Sequence, residues 1–134
     1  MANFCALSTN MTAELNTAQV HYIRVHHDPK THKSDLEVHF PGRVQPLVLT
    51  DADATSLQAY LGNNTLGWVH CVATAGFQGW IAIAKIQWCR THHDHASGKA
   101  DRELYFMGSA TGKPDITLTD ATDIATLDSA LASA

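Results

Sequence analysis

Charge is scarce in this chain of 134 residues. Asp, Glu, Lys and Arg together make up 16% of it, and thirteen Asp and Glu outnumber nine Lys and Arg, for a formal net charge of −4 with histidine neutral. Such a chain has no general attraction for a phosphate backbone at pH 7. Cysteine is rarer still. Cys5, Cys71 and Cys89 make an odd set of three with no C-x-x-C pair. That argues against a disulfide framework and a zinc knuckle, and for a reducing, cytoplasmic setting. The longest apolar run, Trp80 to Ala84, is five residues, where a membrane helix needs about 20. The N-terminal stretch has no basic segment and no long apolar core, so no secretion signal and no membrane association are expected. G-x-S-x-G, P-loop and H-E-x-x-H patterns are all missing, so neither enzyme activity nor a cofactor is expected. Cys5 and Cys71 sit inside apolar stretches, where a thiol is an inert packing group. Cys89 lies near His92, but nothing in the sequence orients the two as a nucleophile and base.

Histidine, in contrast, is plentiful, with nine residues. Most fall in a stretch that occurs twice. Ala18 to Gly42, AQVHYIRVHHDPKTHKSDLEVHFPG, reappears 66 positions later as Ala84 to Gly108, AKIQWCRTHHDHASGKADRELYFMG. Ten of the twenty-five positions are identical without a gap, among them Arg24/Arg90, His26/His92, His27/His93, Asp28/Asp94, Lys33/Lys99, Asp35/Asp101 and Glu37/Glu103. Internal identity of this density is the mark of a tandem duplication.

The elements follow the same doubling. Asn3 to Thr9 and Val69 to Ala75 read as strands, and AGFQG after the second predicts a hairpin turn. The equivalent linker, Asn10 to Thr17, has no strong pattern. Gln19 to His27 and Trp80 to Arg90 are rich in β-branched and aromatic residues and read as strands. Leu36 to Phe40 and Glu103 to Met107 follow as strands. Val44 to Leu49, with Pro46 as an edge marker, and Ile116 to Thr119 complete the strands. Thr50-Asp51 and Thr119-Asp120 are helix starts. Ala54, Leu57 and Leu61, like Ile124, Leu127 and Leu131, keep one helical face. A short insertion at Ser109 to Pro114 separates the copies' spacing.

The expected fold class is therefore α+β. One domain, 1–134, would hold a tandem duplication of a β-β-β-β-α unit (repeat one 1–66, repeat two 67–134). That gives two antiparallel four-stranded sheets, each with one C-terminal helix, related by a pseudo-twofold axis and sharing one core. Positions apolar in both copies (Val20/Ile86, Tyr22/Trp88, Val38/Leu104, Phe40/Phe106) are even-numbered, so the even side is expected to face the helices. The alternative register buries Ile23 and Val25, and would bury Gln87 and Thr91 in the second copy. Ile81 and Ile83 make Trp80 to Ala84 apolar on both faces, as in a central strand where the halves meet.

The candidate binding residues lie at the hairpin tips: Arg24, His26, His27 and Lys33, with Arg90, His92, His93 and Lys99. One reading is folding alone. Asp28 and Asp94 bond their own turns, and Arg24 and Arg90 pair across strands with carboxylates such as Glu37 and Glu103. A weaker one is metal binding by His92, His93 and His95, since imidazoles suit divalent transition metals. Adjacent residues of a strand point to opposite faces, however, and the first copy, with His26, His27 and His32, has no counterpart of His95. A third is a ligand surface, with Arg, His and Lys following a phosphodiester chain. Trp68, Trp80 and Trp88 are expected to pack the core or a dimer interface.

The order of elements, with VQPLVLTDADATSLQAYL and PDITLTDATDIATLDSAL each running from a last strand through an L-T cap into a helix, resembles the PUR-repeat and Whirly proteins and the related positive-cofactor type coactivators. The resemblance implies a small non-catalytic module whose partner is single-stranded DNA or RNA. The acidic balance of this chain departs from that pattern. The alternative is a protein-interaction or self-associating domain, whose partner is another protein or a second copy of the chain.

Overall fold

A computed structural model of the chain describes residues 4–7, 13–27, 29–30, 33–42, 45–63, 66–93, 95–108 and 112–133. Asp28, His32, Val44, Asp94 and residues 109–111 of the insertion lie outside the described residues.

Two short 3-10 turns set the architecture. Gln19 to His27 is strand only from Tyr22 onward, and Trp80 to Arg90 is broken in two. Thr17–Gln19 forms a 3-10 turn in which the Asn16 side chain accepts from the Ala18 amide at 3.1 Å. Ile83–Lys85 forms the equivalent turn within Trp80 to Arg90. Each turn redirects the chain, so the strands before and after it enter different sheets. The described elements of the first half are β1 (Phe4–Leu7), β2 (Ala13–Asn16), β3 (Tyr22–His27), β4 (Ser34–His39), β5 (Leu47–Leu49) and α1 (Asp51–Asn63). Those of the second are β6 (Trp68–Cys71), β7 (Gly79–Ala82), β8 (Ile86–His93), β9 (Ala100–Phe106), β10 (Ile116–Leu118) and α2 (Ala121–Ser133).

This corrects the expected pair of four-stranded sheets. The described residues hold ten strands in three antiparallel sheets, ordered β1-β2, β10-β9-β8 and β5-β4-β3-β7-β6, with two helices. Two physical causes account for the difference. The 3-10 turns add a strand to each half, including β2 in the linker that lacked a pattern. The second half also lends β6 and β7 to the first half's sheet. β7 pairs with β3 in the register Tyr22↔Ile81, Ile23↔Trp80 and Arg24↔Gly79. This joint holds the halves together. It is close: a Cβ on Gly79 would overlap the carbonyl oxygen of Ile23.

The single shared core is corrected too. Cys5, Leu7, Leu15, Val20, Ile23, Leu36, Val38, Leu49, Leu57 and Leu61 pack under α1. A second cluster of Val69, Cys71, Phe77, Ile81, Leu104, Phe106, Ile116, Leu118 and Leu127 packs under α2. Half-buried residues cross between them, Trp68 and Trp80 into the first cluster and Tyr22 into the second.

The even-side rule fails for a simple reason. Tyr22 pairs with His39 and Trp88 with Tyr105, so each hairpin joins an even position to an odd one. Directly opposite residues share a face, and parity therefore switches across the turn. Leu36, Val38 and Leu104 are core as expected, but so is Ile23, while Tyr22 and Trp88 turn to the other side. In the second half a bulge between Ile86 and Trp88 and the edge position of β8 leave Gln87 and Thr91 exposed.

The helix starts differ by one residue. Asp120 caps α2, accepting from the amides of Thr122 and Asp123 at 2.9 and 3.0 Å. Leu118 to Asp123 spans six residues, Leu49 to Asp53 only five. The shorter connection takes Asp51 to a φ of +50°, a left-handed conformation that aspartate tolerates better than most residues. Asp53 and Asp123, which follow, are both buried. Asp123 accepts from the amides of Val72, Ala73 and Thr74 and from the Thr74 hydroxyl at 2.7 to 3.1 Å, tying α2 to the β6–β7 loop.

Candidate functional site

Across the hairpins, the repeated residues become ladders of opposite charge. Arg24 faces Glu37 and His26 faces Asp35 in the first half. Arg90 faces Glu103 and His92 faces Asp101 in the second. The pairings explain much of the identity between copies, because each residue has a partner across the strand. Arg90 Nε donates to the Glu103 carboxylate, and that bond raises the guanidinium further above its ordinary value. Glu37 instead lies 3.8 Å from His39.

The other candidate residues are exposed. His27 Nδ1 lies 3.3 Å from the Ser34 hydroxyl. Lys33 pairs with Asp51 at 3.2 Å. Lys99 lines a shallow groove beside the start of α2 with Thr119, Asp120 and Asp128. His92 and His93 lie opposite Asp101 and Ala100 and so face opposite sides of the strand. His95 follows in the turn. Among the described residues, no group of three or more His, Cys, Asp or Glu is placed to hold a metal ion. The two tips belong to different sheets.

Each ladder ends in a stacked pair of rings. Tyr22 and His39 stack at 4.3 Å with 16° between planes. Trp88 and Tyr105 stack at 4.1 Å with 2° between planes. The sequence reading missed the second pair, because it placed Trp88 inside. The hairpin register carries the information that was needed: it sets Trp88 on the side of Arg90, away from the buried Leu104.

The two ring pairs have different surroundings. The second half closes over the first pair. Phe77 meets Tyr22 edge-on at 5.9 Å and Phe106 meets it at 5.3 Å. The Arg24 guanidinium lies over the Phe77 ring at 5.7 Å, and Arg24 Nε and His39 Nε2 are buried without a hydrogen-bond partner among the described residues. Burial is the main reason His39 is held below the ordinary histidine range, with Arg24 adding to it and Glu37 and Asp115 opposing. His21, stacked on Phe106 at 5.4 Å, is lowered mainly by burial as well.

Over the second pair no third ring stacks among the described residues. Trp88 is 46% exposed, while Tyr105 beneath it is only 8% exposed. The Arg90 guanidinium lies 6.0 Å from the Trp88 ring and 5.9 Å from that of Tyr105. The result is a stacked aromatic pair with a cation at its rim, its outer ring half exposed and its inner ring buried. On the opposite side of the same hairpin, Arg102 donates to Thr91 at 3.1 Å and pairs with Asp128 of α2 at 3.2 Å. That bracing fixes the hairpin from behind.

No protein-family model, no curated protein and no solved structure matches this chain. No helix among the described residues is long and apolar enough to cross a membrane.

Proposed function

We propose that the protein is a small non-catalytic module that binds single-stranded nucleic acid at the exposed Trp88 of β8. The observation that carries this reading is the half-exposed Trp88 ring lying flat on Tyr105, with Arg90 at its rim. An unpaired base stacks on such a plate, at about 1–3 kcal/mol per base, with little regard to sequence. Arg90 is placed for a phosphate or for the stacked base itself. His92 extends the face toward the tip, and His93 and Lys99 sit at the tip. The resemblance in element order to single-strand-binding families points the same way, as analogy.

The acidic balance limits the affinity. Glu103 offsets Arg90, so few phosphates are neutralised and the salt dependence is shallow. Fluorescence anisotropy with labelled single-stranded DNA and RNA, in low salt at pH 6 and 7.5, tests the proposal. The expected result is binding that Trp88→Ala weakens about tenfold, the loss of one stacking contact. No binding below roughly 100 μM at either pH would remove it, since phosphate contacts are strongest in low salt.

A further inference from the structure

Three of the four outer strands in the two larger sheets are short. β5 and β10 have three residues each and β6 has four, whereas β8 has eight. Long open edges are usually guarded by lysine, proline or a bulge in mid-strand. β8, Ile-Gln-Trp-Cys-Arg-Thr-His-His, has no lysine or proline, and its bulge lies at one end.

The chain itself shows how such an edge is filled. β3, the counterpart of β8, is paired on both sides, by β4 and by β7. By the 66-residue offset, the strand that should close β8 is β2, which among the described residues pairs with β1 alone. The β3–β7 joint needs glycine at position 79, because a Cβ there overlaps the carbonyl of Ile23. The equivalent residue of β2 is Ala13. It carries a methyl group where β7 has none, and among the described residues β8 is paired on one side only, by β9.

We infer that β8 pairs antiparallel with β8 of a second copy of this chain, around a twofold axis at Cys89. This does not depend on the nucleic-acid reading. A twofold axis normal to the sheet sets residues of the same face opposite each other, so the axis must lie midway between the two copies of one residue. Centred on Cys89, each Arg90 lies opposite the partner copy's indole at position 88, a favourable cation and ring pairing, and Gln87 lies opposite the threonine at position 91. Centred on Arg90, two guanidinium groups would collide. Centred on Thr91, Arg90 would face a histidine. The pairing joins the two three-stranded sheets into one of six strands.

Sedimentation across a concentration series, with crosslinking of the full chain by a short bis-maleimide, tests the pairing. Cys5 and Cys71 are buried, and burial, with Asp123 nearby, pushes the Cys71 thiol up to about 12, so Cys89 is the thiol that reacts. The expected result is a dimer that crosslinks through Cys89, with no crosslink in Cys89→Ser. Trp88→Ala, an exposed change that leaves the fold intact, should weaken the dimer at least tenfold. Thr91→Pro should abolish it. A monomer at every concentration would overturn the inference. So would a dimer that gives no Cys89 crosslink, or one that Trp88→Ala leaves at full strength.

Discussion

Tyr22 and Trp88 hold the same place in the two halves and live in different surroundings. Each stacks on a ring across its hairpin and stands two residues from an arginine that faces a glutamate. Tyr22 is roofed by Phe77 and Phe106, whereas Trp88 faces outward. One pattern has thus been used once as a joint and once as a surface. What decides between them lies outside the pattern. Gly79 lets β7 close the edge of β3, whereas β2, with Ala13 at the equivalent position, does not pair with β8. The helix-facing sides differ as well. Val25 and Leu36 pair in the first half, where Thr91 and Arg102 hydrogen-bond in the second.

The largest test of this contrast is at the close approach. Gly79→Ala should destabilise the protein by on the order of 4 kcal/mol or prevent folding, because a rigid backbone carbonyl occupies the added volume. Ala13→Gly, at the equivalent position, should cost no more than about 1 kcal/mol, the usual price of glycine in a strand. Urea denaturation measures both, and equal effects would break the comparison. Phe77→Ala comes next, with a loss of about 3 kcal/mol from the emptied core site. It should also expose the Tyr22–His39 pair, which increased quenching of tyrosine emission by acrylamide would report.

A smaller effect is expected where α2 is tied to the β6–β7 loop. Burial disfavours the charged form of Asp123, but hydrogen bonds from Thr74 and the three loop amides outweigh it and hold its pKa below the ordinary carboxylate range. Asp123→Ala leaves those donors unpaired and should cost about 2–3 kcal/mol, with Asp123→Asn in between. A loss below 0.5 kcal/mol in a denaturant titration, about the size of a neutral surface change, would contradict this role.

Acid should act on the closed half first. His21 and His39 are held below their ordinary value by burial. The unfolded chain therefore takes up protons that the folded chain refuses. Their stabilising effect is present above the ordinary histidine range, about pH 6.5, and is lost as the pH falls through it toward the lowered folded values. Thermal unfolding between pH 7.5 and 5 should show this loss. His39→Tyr, which copies Tyr105 of the open half, should flatten it. An unchanged slope would mean that His39 does not couple to folding.

Much of this was legible in the sequence, for definable reasons. The α+β class, both helices and their buried faces followed from helical spacing, and the β6–β7 hairpin from its glycine-bounded loop. The pairing of Arg90 with Glu103 followed from their places on either side of a turn. What escaped depended on contacts distant along the chain. The 3-10 turn at Ile83–Lys85 lies within Trp80 to Arg90, which reads as unbroken strand, and that at Thr17–Gln19 lies where a linker without a pattern meets the next strand. The exchange of β6 and β7 into the first sheet depends on one glycine's clearance from a carbonyl in the other half. The face of Trp88 depended on whether the hairpin pairs odd with even positions, which the turn alone decides.

The central claim is that one face is closed and its counterpart is open for a ligand. The three tryptophans, Trp68, Trp80 and Trp88, give three indole N–H signals, so a ¹⁵N-labelled sample titrated with a short pyrimidine-rich single strand reads the claim directly. The account predicts that the Trp88 signal and the amides of β8 and β9 shift, while the Trp68, Trp80 and Tyr22 signals stay in place. Shifts centred on Tyr22 and His39, or none at Trp88, would contradict it.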